Sequence, residues 1–310
     1  MRELLFISPI FKEKLWGGSR LKSDYNYDIP SEHTGECWAI SAHPEGDCTI
    51  ANGIFKGTHL SELWRSHKEL FGYPSEDTFP LLVKIIDARE DLSIQVHPDD
   101  DYAKLYENGS FGKTECWYIL DCPEDGTIIV GHHANDKAEL KKMIEEDRYM
   151  ELLNIKKIKQ GDFLQITPGT LHAIKASTLL LETQQNSDIT YRVYDYNRLQ
   201  DGKPRELQLQ KSLDVIQCPY KDDVCQHHVI KGQDYILEQL VNCQFYTVNR
   251  VSVSGTATFR QEHSFMLCSV IGGEGCLDQY FVKKGDHFII PYEYGTFEIK
   301  GNVQMILSNT

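Results

Sequence analysis

A Gly-Asp pair leading into an apolar strand, and from there into a second turn rich in Pro and Gly, occurs twice in this chain, and no other feature restricts its architecture as much. Gly161-Asp162 leads to Ile166-Thr167-Pro168-Gly169, and Gly285-Asp286 leads to Ile290-Pro291 and Gly295. The first copy carries His172 just beyond its turn; the second has Phe297 and Glu298 in that region and no His. Two related β-units follow from this echo, one with a site and one without. The surrounding pattern agrees. Beyond Lys156 the chain reads almost wholly as short strands, at 163–167, 178–183 and 189–195. A polar connection through Pro204 and Gln210–Asp223 leads to further strands broken by Gly up to residue 310.

Many short strands with repeated glycine turns point to closed or double-sheet β architecture. The expected fold is mainly β: two cupin or jelly-roll barrel units with a few short α-helices inserted in the N-terminal part. Helical spacing is expected at 59–71, 99–106 and 136–153, where Asp136 and Glu139 have the separation of a capping box. A soft boundary near Pro219 gives a catalytic unit at 1–219 and a degenerate β-unit at 220–310, with the N-terminal strands free to pack on either. Gly17-Gly18 reads as a tight turn.

Composition narrows the partners. With 41% hydrophobic and 25% charged residues the chain is globular in type, and no apolar run approaches the length of a membrane helix. A formal net charge of -14 without any Lys/Arg cluster speaks against nucleic acid. An anionic small molecule remains open to such a protein through a few well-placed cations. Nine Cys stand singly without a CxxC pair, and no signal-peptide pattern opens the chain, so reduced thiols and a cytoplasmic location are expected.

The chemistry concentrates between Leu92 and Trp117. Alternation places Gln95 and His97 on one face of a strand. In the Gly112–Leu120 stretch, Lys113 and Glu115 share one face of a second strand. With His172 aimed by its Pro-Gly turn, His97, Glu115 and His172 form a candidate metal set, with Gln95 as a fourth ligand. Two His and a carboxylate suit Zn²⁺, although Fe(II), Mn and Co accept the same donors. His43, His132-His133 and His227-His228 read as surface or supporting residues. In Leu179–Arg198 the alternation gives Asp188, Thr190 and Arg192 a common face, with Glu182 facing the same cavity from the preceding strand. A metal, a Lys, an Asp and an Arg together supply a Lewis acid, a proton carrier and fixed positive charge for an oxyanion or phosphate.

Six ordered blocks, FKEKLWGG, GECWAIS, LSIQVHPDD, GKTECWYIL, TPGTLHAI and LLLETQQNSDITYRVYDY, cover roughly the first 220 residues. In them the chain resembles the type I mannose-6-phosphate isomerases, in their short bacterial form. The resemblance implies a cytoplasmic aldose–ketose isomerase that interconverts mannose 6-phosphate and fructose 6-phosphate with one Zn²⁺ per chain. It implies Gln95, His97, Glu115 and His172 as ligands and Arg192 as the active-site arginine, with Lys113 and Asp188 as proton-handling or sugar-positioning groups. Longer relatives have a His before the lysine of the KTE block, where this chain has Gly112, so a ring-opening role for that His does not carry over. Two other readings stay open at this point: a different metal-dependent cupin enzyme, and a sugar-binding cupin without catalysis. Oligomeric state is not readable from the sequence.

Overall fold

The computed structural model describes residues 2–310 and is mainly β, in cupin-type sheets with a few short helices. Two antiparallel sheets build the N-terminal barrel. One runs, in spatial order, Phe163–Ile166, Glu115–Asp121, Thr178–Gln185, Leu81–Ala88, Ile10–Gly18 and Thr34–Ile40. The other runs Leu153–Lys157, Thr127–His132, His172–Ala173, Ile94–Val96 and Tyr191–Tyr194. The central strands Leu81–Ala88 and Thr178–Gln185 are buried along their whole length, which fits the apolar runs Leu81–Val83, Ile85-Ile86 and Leu179–Leu181 and leaves their polar residues to find partners inside.

A third, nine-stranded sheet forms the C-terminal unit around the long strands Thr247–Gln261, Met266–Leu277 and Gly295–Asn309. Its interior is filled by Phe288, Phe297, Met266, Tyr294 and Met305. Two strands from the start of the chain join it. Leu5–Ser8 pairs with His287–Ile290 on one side, Leu5 opposite Ile289, and with Thr49–Ile50 on the other. A separate aromatic cluster of Trp64, Phe71, Phe79 and Phe265 ties the helical insertion to this sheet, with ring centroids 5.0–6.2 Å apart.

The helix expected at 99–106 is present as Asp100–Tyr106 with Asp99 as its N-cap, whereas the other two expected helices are shorter than their periodicity predicts. The 59–71 stretch divides into an α-helix at Leu60–Ser66 and a 3-10 turn at Lys68–Phe71, closed by left-handed Gly72. The 136–153 stretch is helical only at Lys137–Glu145 and Tyr149–Leu152, interrupted at Asp147 with φ 53°. Leu153 then starts a strand, because Ile155 pairs with Ile129 across the sheet. Asp136 caps the helix as expected, accepting from the Glu139 N–H at 2.8 Å, but Glu139 reaches back to Asn135 N rather than to Asp136. The polar connection hides a helix at Leu209–Val215, which no capping side chain announces. Gly17-Gly18 is no tight turn: both end a strand, where a Cβ on Gly17 would lie 2.3 Å from the His33 carbonyl oxygen.

Candidate active site

Register places the polar residues in two facing rows. On one sheet His172 pairs with Gln95 and Gln95 with Arg192, so three neighbouring strands carry one row. On the other, Trp117 pairs with Glu182, Glu182 with Lys84 and Lys84 with Trp38. Cross-strand neighbours interact directly. Lys84 Nζ donates to Glu182 Oε1 at 3.0 Å and to Gln184 Oε1 at 2.6 Å, and Trp117 Nε1 donates to Glu182 Oε2 at 3.0 Å.

Beneath these rows lies a closed cluster. One ligand atom each from His97, Glu115 and His172 falls within 4.8 Å of the others, and all three side chains are essentially inaccessible to solvent. His97 Nδ1 faces the Ile189 carbonyl at 2.7 Å and His172 Nδ1 faces that of Thr170 at 2.9 Å. Each backbone oxygen accepts only from a protonated Nδ1, so in the neutral rings Nε2 holds the lone pair toward the cluster. Glu115 Oε1 has no hydrogen-bond partner despite its burial. Burial drives the Glu115 carboxyl up to about 7, with the nearby Glu182 charge adding to the rise. Burial likewise lowers the His172 imidazole to about 4 and holds His97 well below the ordinary histidine range, the Lys113 charge adding to both effects. Neutral imidazoles aimed at an orphaned carboxylate oxygen are the donor set a borderline divalent metal requires. Gln95 adjoins it, its amide nitrogen 3.3 Å from His172 Nε2; turning the amide presents Oε1 instead.

Lys113 links this cluster to a cavity. Its Nζ lies 2.5 Å from Glu115 Oε2, 3.2 Å from His97 Nε2 and 4.0 Å from Glu182 Oε1. The regular strand begins only at Glu115, so Lys113 reaches the site from the segment before it rather than from a strand face. The cavity has a volume of about 310 Å³, and Gln95, Lys113, Glu182, Asp188 and Arg192 all line it. Burial opposes the Glu182 charge, but Lys113, Lys84 and the Trp117 hydrogen bond hold its carboxyl down to about 2. Asp188 stands at the rim, 3.6 Å from His43 Nε2. Burial, with the charge of Arg205, lowers the Arg192 guanidinium from the usual arginine range, and its Nε is buried without a partner. His132, read as a surface or supporting residue, is buried with Nε2 2.9 Å from the Gln217 carbonyl.

Sequence reasoning passed over Lys84, Trp38, Lys14 and Arg205, all of which line the cavity. Lys84 had a signal: a lone cation inside the apolar run FPLLVKII needs a buried counter-charge. Arg205 had none, since it enters from an exposed hairpin and is fixed by Asp195, which accepts from its Nε at 2.6 Å and from its Nη2 at 2.5 Å.

A cupin barrel that buries two imidazoles and a carboxylate under a cation-lined cavity defines a metal-site cupin of the enzyme type. Comparison with known proteins narrows the class. The family model for the type I phosphomannose isomerase catalytic domain matches residues 4–116, and that for the mannose-6-phosphate isomerase cupin domain matches residues 236–310. Mannose-6-phosphate isomerase ManA of Bacillus subtilis is 49% identical over 99% of both chains. Mannose-6-phosphate isomerase of Streptococcus mutans is 42% identical, covering 100% of this chain and 99% of that one. The crystal structure of the B. subtilis mannose 6-phosphate isomerase superposes with a TM-score of 0.98 at 48% identity over 99% of each chain. The apo mannose 6-phosphate isomerase of Salmonella typhimurium shares the fold, with a TM-score of 0.77 at 15% identity over 100% of both chains. The chain therefore belongs to the type I phosphomannose isomerase family, and it is an isomerase. Among the described residues no helix is long and apolar enough to cross a membrane.

Proposed function

We propose that this protein interconverts mannose 6-phosphate and fructose 6-phosphate through a cis-enediolate, with one Zn²⁺ held by His97, Glu115, His172 and Gln95. The observation that carries the reading is the meeting of the buried metal-type cluster with a cation-rich cavity in a protein of formal net charge -14. Zinc held there would supply a Lewis acid for the carbonyl of the open-chain sugar, making the adjacent C–H more acidic. The Lys113 amino group borders both cluster and cavity, so as the neutral amine it is placed to take the proton from one of C1 and C2 and return it to the other. Arg192, on the strand next to Gln95, presents fixed positive charge to the developing oxyanion. Asp188 and Glu182 orient sugar hydroxyls from the rim and the floor. Lys14 and Arg205 line the cavity and, together with Arg192, the adjoining open pocket, which suits them to grip the phosphate.

The test is metal analysis of the purified protein with a coupled assay on mannose 6-phosphate, repeated on Glu115→Gln. The wild type is expected to hold one zinc per chain and to isomerise the sugar phosphate. The variant is expected to lose both metal and turnover. A wild type that binds zinc but does not turn over mannose 6-phosphate would favour a sugar-binding protein, and a variant retaining metal would remove Glu115 from the ligand set.

A further inference from the structure

Lys113 is almost fully buried, yet it stands outside regular structure: the stretch from Glu107 to Thr114 forms neither helix nor strand, and the strand begins at Glu115. A long flexible side chain directs its amino group only as well as its own backbone is held. That backbone is held by groups that touch neither cluster nor cavity. Asp100 Oδ1 accepts the Gly112 N–H at 2.7 Å and Gln185 Nε2 at 3.0 Å. Gln185 Oε1 accepts the Thr114 N–H at 2.9 Å, and the Gln185 N–H donates to the Thr114 carbonyl at 3.0 Å. The amides on both sides of Lys113 are thus bound by one Asp–Gln pair, while the Lys113 N–H itself donates to the Pro98 carbonyl at 3.0 Å.

We propose that Asp100 is a positioning residue for the isomerisation, which acts through Gln185 and the 112–114 backbone to hold the Lys113 amino group at the boundary between the metal cluster and the cavity. The inference rests on the reading of Lys113 as the proton carrier. Three details support it. Gln185 accepts from Thr114 and donates to Asp100, a double role that an amide fills and neither a carboxylate nor an aliphatic side chain does. Gly112 lies directly on the start of the Asp100–Tyr106 helix: a Cβ there would come within 2.4 Å of the Asp99 carbonyl carbon and 2.5 Å of the Asp100 nitrogen. The segment is therefore docked by backbone contact as well as by hydrogen bonds. Finally, alternation along Thr178–Gln185 divides the labour between neighbours, since Gln184 points into the barrel to hold Lys84 while Gln185 points out to hold the Lys113 segment.

The experiment compares Asp100→Ala, Asp100→Asn and Gln185→Leu with the wild type in the zinc-loaded enzyme. Displacing a reacting group slightly costs ~10- to 100-fold in turnover. Asp100→Ala and Gln185→Leu are expected to lower kcat by about that factor with KM and zinc content little changed. Asp100→Asn retains an oxygen acceptor for Gly112 and Gln185 and is expected to stay within about threefold of the wild type. A double-mutant cycle with Lys113→Met completes the test: the loss caused by Asp100→Ala should vanish where no amino group remains to be positioned. Equal losses for the Ala and Asn variants, a loss in KM or zinc rather than kcat, or full additivity with Lys113→Met would each overturn the proposal. A fully active Lys113→Met would overturn the reading of Lys113 and the proposal with it, whereas an impaired Lys113→Met beside a fully active Asp100→Ala would remove Asp100 alone.

Discussion

Replacing Lys84 by Met tests whether the cavity floor is a charge-balanced unit. The Lys84 and Glu182 side chains are only 7% and 3% exposed and meet at 3.0 Å, with Glu36 near enough to add to the field. Burial opposes the lysine charge, yet Glu182 and Glu36 hold Lys84 above its ordinary range, so the pair is ionised. Methionine matches the stem of lysine closely and leaves little cavity, so the cost comes from stranding the Glu182 carboxylate. Removing one partner of a buried pair costs ~3–5 kcal/mol. Lys113, 4.0 Å from Glu182, offsets part of this and points to the lower end, about 3 kcal/mol. Against a total stability of ~5–15 kcal/mol such a loss is readily measured. In Lys84→Met/Glu182→Gln no charge is stranded and Trp117 keeps its acceptor, so at least ~2 kcal/mol should return. Urea unfolding of the metal-loaded protein, at constant denaturant dependence, reads both values. A single variant within ~1 kcal/mol of the wild type, or a double variant less stable than the single, would refute the reasoning.

Arg192→Ala is expected to lower kcat/KM by orders of magnitude while zinc content stays at the wild-type level, since Arg192 faces the cavity without touching the three-residue cluster; near-normal turnover would remove it from the mechanism. His287 gives a pH prediction remote from the site. Burial lowers its imidazole to about 3, with Nε2 2.8 Å from the Tyr27 hydroxyl and Nδ1 2.9 Å from Ser269 Oγ. A folded-state value below that of the unfolded chain means stability present above pH ~6.5 and lost progressively as pH falls toward the folded value. Between pH 7 and pH 5 the wild type should lose about 2 kcal/mol more than His287→Gln, and equal losses in urea titrations at the two pH values would contradict the assignment.

The parts of this molecule that could be read from the chain are those encoded within one strand or turn. Gln95, His97 and Glu115 follow from period-two alternation, and His172 from its Pro-Gly turn, because side-chain direction in a strand is a local property. Lys84 could have been inferred from its neighbours but required its partner, Glu182, from a strand nearly a hundred residues away. Arg205 depends on Asp195 and a hairpin whose strands are only two residues long, too short to leave a pattern. The 136–153 stretch misled because helical periodicity does not register a left-handed residue such as Asp147, nor a strand that starts on an apolar residue the helix would also have buried. The helix at Leu209–Val215 begins at Gln208 without a capping hydrogen bond, so the usual start signal was missing.

The pairing of Leu5–Ser8 with His287–Ile290 sets an order of events during synthesis. Chains are made from the N-terminus, and domains fold as units once their partners have emerged. The first strand meets one neighbour, Thr49–Ile50, early, but the strand on its other edge is among the last segments made. The three strands that carry the metal cluster, by contrast, lie within the first two-thirds of the chain. The catalytic barrel can therefore assemble while one edge of Leu5–Ser8 stays open to wrong strand partners. Pairing of His287–Ile290 with that edge is then a late step, and a chain cut short before His287 would hold all of its proposed catalytic residues beside a first strand paired on one side only.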